Sequence, residues 1–134
     1  MTTSHRLTLF TAAALLGACG GTENPGGGPT CIPGTTTGVS ITAAGVTPKV
    51  VCVLPATGTV TFTNNDAAAH SIADSGTNCP QLNLGSIAGS GGTATTATFP
   101  TAVVCQFHDA LAPANTAFQG TVAVTTGTVG GPGY

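Results

Sequence analysis

The feature that most constrains this sequence is a strict alternation of apolar and hydroxyl side chains in short segments. In residues 58–64, GTVTFTN, valine and phenylalanine alternate with three threonines, the two-residue period of a half-buried β-strand. Glycine, proline and asparagine separate such segments, and none has the period of an amphipathic helix. Strands are predicted at residues 38–45, 49–54, 58–64, 70–73, around 82–87, 93–99, 102–108 and 120–126. The pattern predicts an all-β, Greek-key β-sandwich of seven or eight strands.

Charge excludes one class of function. Charged residues make up 4% of the chain, and its only two basic residues other than histidine are Arg6 and Lys49. A nucleic-acid-binding surface needs a basic patch, so we predict no nucleic-acid partner. The abundance of valine and threonine is typical of an extracytoplasmic β-domain rather than a disordered chain. We also predict no enzyme, because no carboxylates are paired and no nucleophile or phosphate-binding motif is present.

The N-terminus predicts a signal peptide over residues 1–18. The apolar stretch at residues 7–16 is too short to span a bilayer permanently. It leads into LGAC, which resembles the lipobox of bacterial lipoproteins and makes Cys19 the predicted site of lipidation. Gly20 after this cysteine favours the outer membrane. We therefore expect a lipid-anchored cell-envelope protein facing the periplasm or the cell surface, with a Gly/Pro-rich tether over residues 19–37 and a flexible tail over 127–134.

The other four cysteines leave two alternatives open. Cys31, Cys52, Cys79 and Cys105 are an even number in an oxidising compartment, which indicates two disulfides. However, Cys105 also forms a C-x-x-H motif with His108 at the end of a predicted strand. At that spacing a cysteine thiolate and a histidine imidazole can bind the same metal ion. The alternative is that the cysteine is half of a disulfide and the nearby histidine binds nothing.

Three segments in chain order resemble the cupredoxins, the plastocyanin and azurin family. They are VTFTNNDAAAHSI at residues 60–72, CQFH at 105–108 and FQGTVAV at 118–124, and the resemblance covers roughly residues 38–126. It implies a cupredoxin-like domain with one copper ion bound by His70, Cys105 and His108, the ligand types of a type 1 site. The family's axial methionine position is occupied by Phe118, or by Gln119 if the loop shifts by one residue.

The resemblance implies a monomeric domain that uses copper for electron transfer with a redox protein partner, or for copper handling. The alternative is a copper-free, disulfide-stabilised structural or interaction domain at the cell surface. In that case Cys31 pairs with Cys52 and Cys79 with Cys105, which consumes the copper thiolate. Asp109 is predicted to be an exposed loop acid, in preference to an acceptor that orients the neighbouring imidazole of His108. Asp66 is predicted to be a turn former.

Overall fold

The computed structural model describes residues 31–127. The predicted signal peptide, Cys19 and the tail from residue 128 onward lie outside this range. The described elements are β1 (Thr36–Thr42), β2 (Gly45–Thr47), β3 (Val50–Val53), β4 (Thr59–Asn64), β5 (His70–Asp74), β6 (Gly85–Ile87), β7 (Gly92–Thr95), β8 (Val103–Asp109) and β9 (Gly120–Val124), with short 3₁₀ helices at Pro80–Leu82 and Thr116–Phe118. Between residues 31 and 127, no helix has the length and apolar character needed to cross a membrane.

The strands form two mixed sheets. One has the order β2-β1-β4-β7 and the other β3-β9-β8-β5-β6. In the first sheet β1 runs parallel to β4, and in the second β3 runs parallel to β9; the remaining pairs are antiparallel. This architecture confirms the predicted all-β sandwich, with nine strands instead of seven or eight.

The core lies between the sheets and follows from the alternation in the sequence. Val60 and Phe62 of β4 are fully buried, whereas the threonines on either side are partly exposed. From the opposite sheet, Phe107 of β8 meets Phe62 edge to face, with ring centroids 5.1 Å apart. Such aromatic pairs add about 0.5 to 1.5 kcal/mol beyond the area that they bury.

The structure differs from the sequence prediction at the start of the domain. The strand predicted at 38–45 is two strands, because β1 ends at Thr42 and β2 begins at Gly45, whose φ of 123° suits a turn. Residues 31–37, assigned to the tether, belong to the fold: a disulfide joins Cys31 to Cys52, and Gly34 forms a bridge with Val53. The described domain therefore begins before residue 38.

Candidate functional site

A disulfide joins Cys79 to Cys105. Cys79 lies in the loop after β5, and Cys105 lies in the middle of β8 with its side chain toward the core. Their exposed fractions are 1% and 2%, and their Cα atoms are 5.9 Å apart, within the range that a disulfide spans. The sulfur of Cys105 is therefore covalently bound in this structure.

The three residues predicted to bind copper do not converge. Side chains of a strand alternate between its two faces, so Cys105 and His108, three residues apart in β8, point to opposite faces. His108 lies on the outer face, where its Nδ1 atom is 2.9 Å from Oγ of Ser75. His70 lies beside Asp109. Asp109 comes four residues after Cys105 in β8, so their Cα atoms are about 13 Å apart along the strand.

His70 is instead enclosed by three side chains from different parts of the chain. Its Nδ1 atom is 2.7 Å from Oδ2 of Asp109, and its Nε2 atom is 3.0 Å from Oδ2 of Asp66. The ring of Phe118 stacks on the imidazole, with centroids 4.7 Å apart and planes at 29°. We call His70, Asp66, Asp109 and Phe118 the His70 clamp.

Asp109 reaches the clamp because β8 continues one residue beyond the predicted end of the strand. The prediction of an exposed loop acid is wrong: Asp109 is 1% exposed and faces the core with Cys105 and Phe107. Its Oδ1 atom accepts hydrogen bonds from the backbone N–H groups of Ser71, at 2.9 Å, and Leu111, at 3.0 Å. The carboxylate thus joins β5 to the loop after β8.

The loop that carries Asp66 is held by a fully buried asparagine. Asn64 donates from Nδ2 to the carbonyls of Ala68 and Ile87, and its Oδ1 accepts from the N–H of Asp66. This places every polar atom of the buried amide in a hydrogen bond, as burial requires. At Gly89, any Cβ would collide with the carbonyl of Ala67, so the loop packs directly against the turn after β6.

The environment of the clamp favours an imidazolium between two carboxylates. Burial acts to lower the pKa of His70, but the hydrogen bonds that the imidazole donates to Asp66 and Asp109, together with the charges of these carboxylates, outweigh it and raise that pKa. The hydrogen bond from His70 holds the pKa of Asp66 below its ordinary value. Burial acts to raise the pKa of Asp109, yet the hydrogen bonds from Ser71, His70 and Leu111 lower it overall. Both ring nitrogens face carboxylate oxygens, and the imidazolium is the form that can donate to both.

Comparison with known proteins identifies the fold. No family model matches the sequence, and no curated protein matches it. Among solved structures, the purple cupredoxin of Nitrosopumilus maritimus is 21% identical with a TM-score of 0.52, covering 66% of this chain and 99% of its own. The auracyanin of Roseiflexus castenholzii is 20% identical with a TM-score of 0.54, covering 70% and 99%. The chain has a cupredoxin-like fold.

Two further neighbours agree with this cupredoxin-like fold. The amicyanin of Paracoccus versutus is 19% identical with a TM-score of 0.56, covering 70% of this chain and 85% of its own. A Cu-containing nitrite reductase from Thermus scotoductus is 18% identical with a TM-score of 0.56, over 72% of this chain but only 23% of the enzyme. At these identities the likeness establishes the fold, and the chemistry of the site has to be judged from its residues.

The residues of this cupredoxin-like domain do not fit a type 1 copper centre in the disulfide-bonded form. Such a centre needs two imidazoles and a thiolate around one ion. Here Cys105 has no free thiolate, His108 is on the far side of β8, and both nitrogens of His70 bind carboxylates. Across residues 31–127, no group of three or more His, Cys, Asp or Glu side chains is arranged to hold a metal ion. Phe118 contacts the ring of His70, while Gln119 donates to the carbonyl of Pro113.

Sequence reasoning located His70 but missed its two carboxylate partners. Asp66 and His70 are four residues apart across a turn. Asp109 comes two residues after the buried Phe107 in β8, so its side chain lies on the same face of the strand. Extending the alternation of β8 by one residue would have assigned Asp109 to the core side. A buried acid on that side requires a partner, and a histidine at a neighbouring strand end supplies one.

The pKa shifts of the clamp predict a stability maximum at mildly acidic pH. Because the pKa of His70 is raised on folding, its contribution to the free energy of unfolding is complete below pH 6.5, the ordinary histidine pKa. That contribution is lost as the pH rises through the higher pKa of the folded state. The contributions of Asp66 and Asp109 to the free energy of unfolding are complete above pH 3.8, the ordinary Asp pKa. They are lost as the pH falls through the lowered pKa values of the folded state. Urea unfolding should therefore show a plateau between these limits and a decline on both sides.

The matched pair of variants for this profile is His70→Gln and His108→Ala. His70→Gln should remove the alkaline decline, whereas His108→Ala, on the outer face, should retain it. Circular dichroism is the suitable probe, because the chain has no tryptophan and a single tyrosine. An alkaline decline that survives in His70→Gln would contradict the assignment to this imidazole.

Proposed function

We propose that this protein is a cell-envelope lipoprotein whose cupredoxin-like domain is a copper-free, disulfide-stabilised structural or interaction domain. The observation that carries the proposal is the bond between the sulfurs of Cys79 and Cys105. A thiolate supplies the strong covalent ligand of a type 1 site, and a disulfide sulfur cannot replace it. The absence of catalytic motifs in the sequence also supports a non-enzymatic role.

The His70 clamp supports the proposal independently of the disulfide. For His70 to bind copper, a ring nitrogen would have to lose its proton and leave a carboxylate. Asp109 is almost fully buried, so that exchange would leave a buried charge with only its two backbone donors. The clamp therefore fills the end of the sandwich with an ion cluster that competes with metal binding.

Copper content tests the proposal directly. The full chain purified from copper-supplemented cells should contain far less than one copper per chain and show no intense visible band. The Cys79→Ala variant frees the thiol of Cys105 without moving the histidines. It should also stay colourless with Cu(II), because His70 is held beside Asp109, which lies about 13 Å along β8 from Cys105. A stoichiometric blue or purple complex in the parent chain would support copper-based electron transfer or copper handling with a redox partner.

The lipid anchor requires a separate test. The parent chain should incorporate a labelled fatty acid and fractionate with the outer membrane, and Cys19→Ser should do neither. Cys31→Ser, which lies at the start of the described domain, serves as the control because it changes a cysteine without touching the predicted lipobox. Labelling of Cys19→Ser at the level of the parent would exclude Cys19 as the anchor.

A further inference from the structure

The loop between β8 and β9 crosses the end of the sandwich where the His70 clamp lies. It comprises residues 110–119, and we call it the strap. Its inner side presents Phe118, which is 7% exposed and stacks on the imidazole of His70. Its outer side is in solvent, where the side chain of Leu111 is 64% exposed. The strap therefore covers the clamp with one buried side chain, the ring of Phe118.

Hydrogen bonds within the strap hold it in one shape. The N–H group of Asn115 donates to the carbonyl of Ala112, and the N–H group of Phe118 donates to the carbonyl of Asn115. The side-chain amide of Gln119 donates to the carbonyl of Pro113, at 3.0 Å. These bonds join one part of the strap to another, and they do not fasten it to either sheet. A segment bonded in this way can open and close as one cooperative unit.

A single ammonium group fastens the strap to the five-stranded sheet. Lys49, just before β3, donates from Nζ to three backbone carbonyls of the strap. They belong to Thr116, at 2.7 Å, Ala117, at 3.1 Å, and Gln119, at 3.4 Å. The last carbonyls of a helix have no partner within it, and a lysine side chain is a common donor to them. The ammonium of Lys49 thus bridges β3 and the end of the 3₁₀ helix that carries Phe118.

Water can reach this bridge. Lys49 is exposed, and it borders a cavity of about 320 Å³ whose lining includes Ser75, Gln106 and Thr121. As the strap lifts, the ammonium can exchange its three carbonyl partners for water in this cavity. Breaking such an exposed contact costs less free energy than breaking a buried one. The contact is therefore strong enough to bias the position of the strap and weak enough to be released without unfolding the sheets.

We infer that the strap is a lid over the His70 clamp, that Lys49 latches it, and that it opens as a unit while both sheets stay folded. This device goes beyond the structural or interaction role proposed above and depends on neither the lipid anchor nor copper. Opening removes the ring of Phe118 from the imidazole and admits water to the clamp. Segments with few buried apolar contacts and exposed hydrogen bonds are the ones that open locally. Loss of the ammonium should therefore increase the open population of the strap without unfolding the domain.

Amide hydrogen exchange, measured by NMR on the full chain carrying Cys19→Ser, tests the lid. Lys49→Met removes the ammonium and keeps a stem of similar length. In this variant the amides of Asn115 and Phe118 should exchange about tenfold faster than in the parent, because charge-assisted hydrogen bonds to three carbonyls are lost. The N–H of Asn115 bonds to the strap itself and not to Lys49, so an equal factor at both amides indicates opening as a unit. The amides of β4 should exchange as in the parent.

Gln106→Met is the matched control, because Gln106 lines the same cavity but belongs to β8. Its strap amides should exchange at the rate of the parent. Three outcomes would overturn the inference. One is a strap that exchanges in Lys49→Met as slowly as in the parent, or as fast in Gln106→Met as in Lys49→Met. Another is acceleration confined to residues 117–119, which would show fraying beside the lysine. The third is equal acceleration in β4, which would show a loss of global stability.

Discussion

Replacing Asp109 with alanine should lower the free energy of unfolding by about 3 to 5 kcal/mol, the usual cost of removing one partner of a buried ion pair. The change leaves the imidazole of His70 with one carboxylate instead of two. It also removes the acceptor of two backbone N–H groups, those of Ser71 and Leu111. Urea unfolding at about pH 5.2, midway between the ordinary Asp and His pKa values of 3.8 and 6.5 that bound the predicted plateau, gives the measurement.

Asp109→Asn is the matched variant for this prediction. Its amide oxygen still accepts from the two backbone N–H groups, so it should lose less stability than Asp109→Ala. Both variants remove the charge beside His70 and should lower the pKa of that histidine, which NMR titration can follow. If Asp109→Ala unfolds within 1 kcal/mol of the parent, the carboxylate does not hold the clamp together.

Replacing both Cys79 and Cys105 with alanine should lower the free energy of unfolding by about 3 to 4 kcal/mol, because the unfolded chain gains conformational entropy without the cross-link. The disulfide closes a loop with a sequence separation of 26. Its two residues are buried in the core cluster, so the change should also loosen packing there. The loss should appear as a lower urea midpoint in circular dichroism.

The other disulfide provides a control of similar loop length. Cys31 and Cys52 have a sequence separation of 21, so the entropic effect should be nearly the same. Cys31 is only partly buried, and its pair should therefore cost less in packing. A Cys31→Ala/Cys52→Ala variant that is less stable than Cys79→Ala/Cys105→Ala would contradict this ranking.

The fold was predictable because its signal is local and repeated. The alternation of residues 58–64 appears in the structure as β4, with Val60 and Phe62 in the core. The missed strand β2 has only three residues, too few for a period of two to be recognised. Its turn depends on the positive φ of Gly45, which no neighbouring residue indicates.

The site was less predictable because it depends on where one strand ends. The C-x-x-H motif brings two ligands together only if the strand ends near its cysteine. Here β8 continues through Asp109 and sends Cys105 and His108 to opposite faces. The disulfides were better predicted: Cys31–Cys52 with Cys79–Cys105, the alternative that the sequence left open beside the copper site, is the pairing present in the structure out of the three that four cysteines allow.

The most direct test of the central claim is a count of free thiols in the denatured, non-reduced Cys19→Ser chain, with a visible spectrum recorded before and after addition of Cu(II). We expect no free thiol in either state and no intense visible band, because Cys31 pairs with Cys52 and Cys79 with Cys105. Two free thiols at Cys79 and Cys105, with protection of Cys105 and a strong colour after copper is added, would contradict it.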